Sequence, residues 1–450
     1  EGRVASALRV QVSPSAFLTC HLTFVAPAPM KAASVQVVFV SNGPGELSTW
    51  VRPLAESLHC RLAMRPRDAS SSVSLRLVLV PCPNATGEEA DVAREWKQFA
   101  QINKAKEFWD LLLRPNRYGP WPSKGLVVFL GGDQFWTVLL SARLGYQHLT
   151  YAEWIARWPR WNDRIAAMSA KVRDQLPREY RARCKVVGDL MADVSFMSRT
   201  LHPLPSGEWV ALLPGSKKAK LSVGVPFLLE VADILLQLRP GCRLLLPIAS
   251  TTSVKEIEAF SSSTNPISAF YSSAISKIVA TESNESFRKL ITRAGTEIYL
   301  VEDQPAHSYL SQCDLALTTI GANTAELGAL GVPMIVIVPT QHLFVMQAWD
   351  GILGLLGRLP GLRWCIGSFI TAWRLRNRGY MAWPNISAGR MVVPERVGKL
   401  TPKDIAVEAC DWLNSPGRLK GQHDDLTALR GKPGAVRVLT EEIYHLLNIS

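Results

Sequence analysis

The chain has 450 residues, 47% hydrophobic and 20% charged, which excludes intrinsic disorder and gives enough length for two cores rather than one. Lys and Arg exceed Asp and Glu by 50 to 38, a net charge of +12 that favours nucleic acid, an anionic membrane or phosphorylated ligands. Eight Cys with no Cys-x-x-Cys pair and eight scattered His argue against a disulfide scaffold and a protein-bound metal, and point to a reducing compartment.

Residues 1–34 carry Arg3, Arg9 and Lys31, several Ser and Ala, and one acid, Glu1. The pattern fits the remnant of an organelle transit peptide or a plain disordered leader. Residues 35–40 (VQVVFV) predict a buried strand ending in SNGPGE, followed by a helical spacing at Leu47, Val51, Leu54 and Leu58 with Pro53 in its first turn. A loop is expected over 61–74, a strand over 75–80 and a helical pattern over 88–113. Residues 125–130 (GLVVFL) predict a strand ending in GGDQFW. The segment 151–164 (YAEWIARWPRWNDR) interleaves three Trp with three Arg, either a sugar- or membrane-facing surface or an aromatic core with a basic rim. Val186–Val187 followed by GDLMAD reads as a domain junction.

The second half repeats the rhythm, with strands expected at 210–213, 243–248, 298–301, 315–318 and 334–338 and a Ser/Thr-rich surface insertion over 261–285. No apolar run reaches the roughly 18–20 residues of a membrane span. Strands alternating with helices predict an α/β fold: two doubly wound parallel sheets facing a cleft, with ligands at the carboxyl ends of the strands. The expected bounds are a leader at 1–34, domains at 35–190 and 191–400, and helices at 401–450.

Four loops follow strands: SNGPGE, GGDQFW, LLPGSKK and TTIGANTAE. LLPGSKK joins a glycine turn to a helix start beside lysines, either an anion cradle or an ordinary turn; it lacks P-loop spacing. In TTIGANTAE, Asn323 and Glu326 stand three apart, spaced for a capping pair or for a ribose contact by Glu326. Asp133 is either a cap or a general base at a strand end. Residues 351–380 hold five Arg and no acid among apolar residues, a basic amphipathic stretch suited to an anionic bilayer surface or to a helix pair with a basic rim. No zinc-finger, RNP or helix-turn-helix signature marks a nucleic-acid partner.

LLPGSKKAKL, TTIGANTAELGALGVPMIVIVP and WPNISAGRMVVPE, in this order, resemble the lipid-A-disaccharide synthases, whose counterparts are LLPGSR, SGTAALE and LPN-x-x-AGR-x-x-VPE. The resemblance runs over roughly 35–410. It implies a GT-B-type fold of two Rossmann-like domains. It also implies an inverting glycosyltransferase moving an acylated glucosamine from UDP to a lipid-linked glucosamine phosphate, with no cofactor beyond the UDP-sugar. By the same resemblance Gly215, Ser216 and Lys217 meet the diphosphate, Gly321, Asn323, Thr324 and Glu326 line the nucleotide, and Asn385 and Arg390 close the site. Asp133 falls at an acidic position linked to acceptor activation. Lys217 replaces the family's Arg, keeping the charge without the bidentate fork.

The family's GE-x-SGD becomes SNGPGE, with Asn42 at its Glu, Gly45 at its second Gly and Glu46 at its Asp. Asn42, Gly43 and Gly45 thus form the acceptor-side loop, with Glu46 a second catalytic candidate. This loop is closer to the cyanobacterial and plastid branch, which with the leader suggests a plastid; a mitochondrion is the alternative. The membrane contacts expected are Arg358, Arg363, Trp364, Phe369, Trp373 and Arg374. Rival readings keep the fold but change the chemistry, to another glycolipid synthase, a UDP-sugar epimerase, or a binding protein without turnover.

Overall fold

The computed structural model describes residues 35–64, 72–81, 87–197, 203–273, 275–280, 287–342 and 379–447. The leader at 1–34 and the six membrane-contact residues between 358 and 374 lie outside them.

The first sheet contains β1 (Val35–Ser41), β2 (Val73–Leu79), β3 (Gln101–Asn103), β4 (Lys124–Phe129), β5 (Gln147–Ala152), β6 (Arg164–Ala167) and β7 (Cys184–Val186). Its order is β3-β2-β1-β4-β5-β6-β7, parallel throughout. The second contains β8 (Glu208–Leu213), β9 (Cys242–Pro247), β10 (Ile275–Ala280), β11 (Arg288–Thr292), β12 (Glu297–Val301), β13 (Leu315–Thr319), β14 (Met334–Pro339) and β15 (Glu395–Gly398). Its order is β10-β11-β12-β9-β8-β13-β14-β15, parallel except for the antiparallel β10-β11-β12 edge. This is the two-sheet, doubly wound architecture that the alternation of apolar runs and helical patterns predicts, and the GT-B type that the family resemblance implies.

The central strands, such as β1, β13 and β14, are buried on both faces, because helices cover both. Val37 and Phe39 pack into one core layer while Val38 and Val40 pack into the layer opposite. Strand order reverses between β1 and β4 in the first sheet and between β8 and β13 in the second. Helices leaving such neighbours diverge to opposite faces and open a crevice at their carboxyl ends. The four loops singled out in the sequence are the loops of these four strands.

After β1, the helical chain passes through a π-turn at Leu47–Val51, with Thr49 donating to the Gly45 carbonyl at 2.8 Å, before the α-helix Arg52–Ala63. Pro53 falls in the first turn of that α-helix, directly after the π-turn. Expectation and structure part at the short edge elements. The helix extends to Ala63 into the expected 61–74 loop, and β2 begins at Val73. The helical pattern over 88–113 contains the three-residue β3, too short to show alternation. The 261–285 insertion supplies a short helical turn, Pro266–Phe270, and the edge strand β10.

Helix Lys218–Leu238 is 21 residues long and apolar enough to cross a membrane, correcting the expectation of no such run. It is a core helix, 72% buried across its apolar window. Pro226 lies within it and cannot donate to the Ser222 carbonyl four residues back. The Asn265 side-chain amide takes that place, donating to the Ser222 oxygen at 2.7 Å. The segment 261–285 thus has a structural duty that its polar composition concealed.

The chain crosses between domains twice, side by side. Helix Leu190–Met197 leaves the first domain after Gly188, and helix Ala435–Leu446 returns to pack Leu439 and Ile443 into the first core. The Asp193 carboxylate accepts from the Gly434 and Val436 N–H groups and ties the two crossings together. Helix Pro402–Leu413 packs on the second core, so the segment 401–447 is shared between the domains.

Candidate active site in the cleft between the sheets

After β8 the chain turns at Gly215, whose φ is +105°, and enters helix Lys218–Leu238 with Lys217 at the N-cap position. A Cβ on Gly215 would lie 3.0 Å from the Lys220 Cβ and 3.2 Å from the Thr319 Oγ1. Only glycine fits, and it leaves bare backbone beside the positive end of a long helix. After β13 the chain makes the same kind of turn at Gly321, φ +140°, which caps helix Ala322–Leu330. The Thr324 hydroxyl donates to the Gly321 carbonyl at 2.9 Å and accepts from the Trp383 N–H at 3.1 Å, so Thr324 is committed to the loop itself. Glu326, one turn in, has an oxygen 3.5 Å from the Nε2 of His307.

From the first domain, Gly45 closes on these loops: a Cβ there would be 2.9 Å from that of Ala322. Burial raises the pKa of Glu46, although a backbone hydrogen bond and the positive charge of Lys217 across the cleft oppose it. Asn42 packs against Gly131 and Gly132, pressing the two switch-point loops of this domain together, and a Cβ on Gly43 would collide with the Glu46 carboxylate.

The cleft is open to solvent and holds a cavity of roughly 100 Å³ between the two domains. Gly45, Gly215, Ser216, Asn323 and Glu326, all read from sequence, line it. Ser48, Ser250, Gln304 and His307 line it too and were missed. The only signal for His307 was its place just beyond the 298–301 strand, in a segment without a glycine turn.

Other expected residues lie elsewhere. Asp133 is exposed and caps helix Gln134–Leu144, accepting from the Phe135 N–H at 2.9 Å. Asn385 is fully buried and outside the cleft lining. Its amide donates to the Val393 carbonyl and Glu395, and its oxygen accepts from the Val392 and Val393 N–H groups, so its hydrogen-bonding capacity serves the turn. Arg390 is exposed and paired with Asp425 at 2.8 Å, also outside the lining.

Two carboxyls that sequence reasoning passed over sit at the domain seam. Glu153 follows β5; burial, reinforced by the charges of Asp189 and Glu46, pushes its pKa up to about 7, while its bond to Trp383 opposes the shift. The Trp383 indole donates to it across the seam at 3.2 Å. Burial likewise lifts Asp189 to about 6. The Trp-rich segment after β5 faces outward, with Trp154, Trp158 and Trp161 between 41% and 52% exposed, rather than filling a core. Gln134 fastens it by donating to the Ile155 carbonyl and accepting from the Arg157 N–H. Among the described residues no group of three or more His, Cys, Asp or Glu is placed to hold a metal ion.

No protein-family model matches the chain. The lipid-A-disaccharide synthase of Geobacter metallireducens is 23% identical over 232 residues, covering 51% of this chain and 46% of that protein. That of Pseudomonas paraeruginosa is 28% identical over 227 residues, with 50% and 46% covered. The resemblance to these synthases is therefore present in the sequence, and the chain spans about half the length of the curated relatives it matches. Among solved structures, S. aureus MnaA with UDP covers 93% of this chain and 98% of its own at 12% identity and a TM-score of 0.50, a likeness of fold.

Proposed function

We propose that this protein is an inverting glycosyltransferase that moves an acylated glucosamine from a UDP-sugar to a lipid-linked sugar phosphate at an anionic membrane face, in a plastid. The observation that carries the reading is the convergence of the β1, β8 and β13 loops on one cleft, with bare glycine backbone and a helix N-terminus on its second-domain wall. The similarity to lipid-A-disaccharide synthases supports it.

In this reading the diphosphate lies on Gly215 and Ser216, and Glu326 accepts from the ribose hydroxyls. The acceptor hydroxyl attacks the anomeric carbon from the opposite face and gives its proton to a first-domain carboxylate, Asp133 or Glu46. The bond to the UDP oxygen breaks, and the helix end with Lys217 stabilises the departing charge.

Calorimetry with UDP and UDP-sugars, on wild type and Glu326→Ala, tests the donor site. Saturable binding weakened roughly tenfold or more by the substitution is expected, the value of a charge-assisted bond pair. Folded wild type that binds no uridine nucleotide would sink the reading. Product analysis with a lipid-linked acceptor then separates transfer from epimerisation, and Asp133→Asn from Glu46→Gln. The correct base is the one whose loss stops transfer while donor binding persists.

A further inference from the structure

Lys220, five residues beyond Gly215, belongs to neither the expected site nor the cleft lining, yet it holds the two glycine loops together. Its stem lies along Gly215, and its amine donates to the Ile320 carbonyl, 2.9 Å from where a Cβ on Gly321 would sit. The lack of a Cβ on both glycines leaves the room that this lysine occupies. Beside it, Thr319 is 8% exposed, and its hydroxyl sits 3.2 Å from the Gly215 Cβ position with no hydrogen-bond partner among the described residues. A buried hydroxyl without a partner is costly and calls for a ligand. An amine, an unsatisfied hydroxyl, bare backbone and the end of a 21-residue helix thus meet at one seam. Together they match the chemistry of a phosphate.

We propose that Lys220 and Thr319 form the phosphate grip of the cleft: on binding, the amine leaves the Ile320 carbonyl and, with the Thr319 hydroxyl, contacts the diphosphate of the nucleotide-sugar. This rests on the donor reading above and assigns to Lys220 the charge that sequence comparison gave to Lys217. Burial, with the neighbouring charge of Lys217, lowers the Lys220 pKa to about 8. The other charged groups around the seam are Glu46 from the first domain and Glu326 with His307 on the facing helices. Among the described residues none of them lies within ion-pair distance of the amine. An arriving diphosphate raises the pKa again, so binding takes up protons near pH 8, and affinity falls as pH rises through that value.

The probe is UDP-N-acetylglucosamine, whose diphosphate diester has no group titrating near neutrality. Calorimetry at pH 8 in buffers of different ionisation enthalpy counts the protons. Wild type is expected to take up about half a proton per ligand, because a group with a pKa near 8 is about half protonated there. Lys220→Met should bind about 10- to 100-fold more weakly without uptake. Lys220→Arg should restore affinity, also without uptake, since arginine stays charged. Thr319→Val should weaken binding about three- to tenfold and leave uptake intact. Wild type that binds without proton uptake, or Lys220→Met or Lys220→Arg that retains it, would overturn the grip and leave the donor reading standing. Folded wild type that fails to bind the probe would overturn both.

Discussion

Replacing Glu153 by glutamine removes a carboxylate that burial and the charges of Asp189 and Glu46 hold up to about 7, from an ordinary 4.5. The folded protein keeps this proton to about pH 7, while the unfolded chain releases it near 4.5. Between these values the folded state binds more protons than the unfolded, so stability falls as pH rises through the window and levels off above it. At about 1.4 kcal/mol per tenfold change, the ceiling is about 3 kcal/mol. Partial exposure and the shared titration with Asp189 and Glu46 reduce this to about 1–2 kcal/mol. Glutamine keeps an oxygen to accept from the Trp383 indole, so the seam contact survives and only the charge is lost. Glu153→Gln should therefore melt about 2–6 °C higher than wild type at pH 8 and at the same temperature at pH 4.5. Scanning calorimetry or dye-monitored melting from pH 4.5 to 8.5 reads this directly. No gain at pH 8, or an equal gain at every pH, would refute the assignment of a desolvated charge to the seam.

Two further outcomes follow from named contacts. Asn265→Leu strands the Ser222 carbonyl that Pro226 already deprives of its helical partner, and should cost about 1–3 kcal/mol. Adding Pro226→Ala returns an N–H to that carbonyl and should recover part of the loss; no recovery would mean that the Asn265 contacts elsewhere carry the effect. Gly215→Ala imposes an unfavourable φ and a 3.0 Å contact with Lys220, costing about 1–2 kcal/mol. It should weaken UDP-sugar binding as well as lower the melting temperature, and unchanged binding would mean that the turn does not approach the ligand.

The β-branched runs, the glycine punctuation after them and the intervening helical spacing were local features. They marked β1, β2, β4, β8, β9, β12, β13 and β14 and the loops that follow four of them. Local signals failed where elements were short or borrowed their stability from a distance. β3 has three residues, and β10 and β11 pair with each other within a polar stretch, so neither pattern nor propensity distinguished them. Asp133 and Glu46 looked alike as acids in glycine loops, but one is a solvent-exposed cap and the other is desolvated at the seam.

Sequence alone determined that the chain builds two parallel sheets, that glycine turns follow particular strands, and that the lysine-rich turn after β8 begins a helix. Tertiary structure decided which of these turns meet. The reversal of strand order placed the loops of β1, β4, β8 and β13 at the two switch points and brought Gly45 against Ala322. It also made His307 a cleft residue, turned Asn385 into a structural pin, and left Lys220 and Thr319 facing each other across about one hundred residues of chain. Side-chain chemistry is written residue by residue. Burial, partnership and the electrostatics that follow from them depend on groups distant in the chain, and so they appear only once the sheets have brought those groups together.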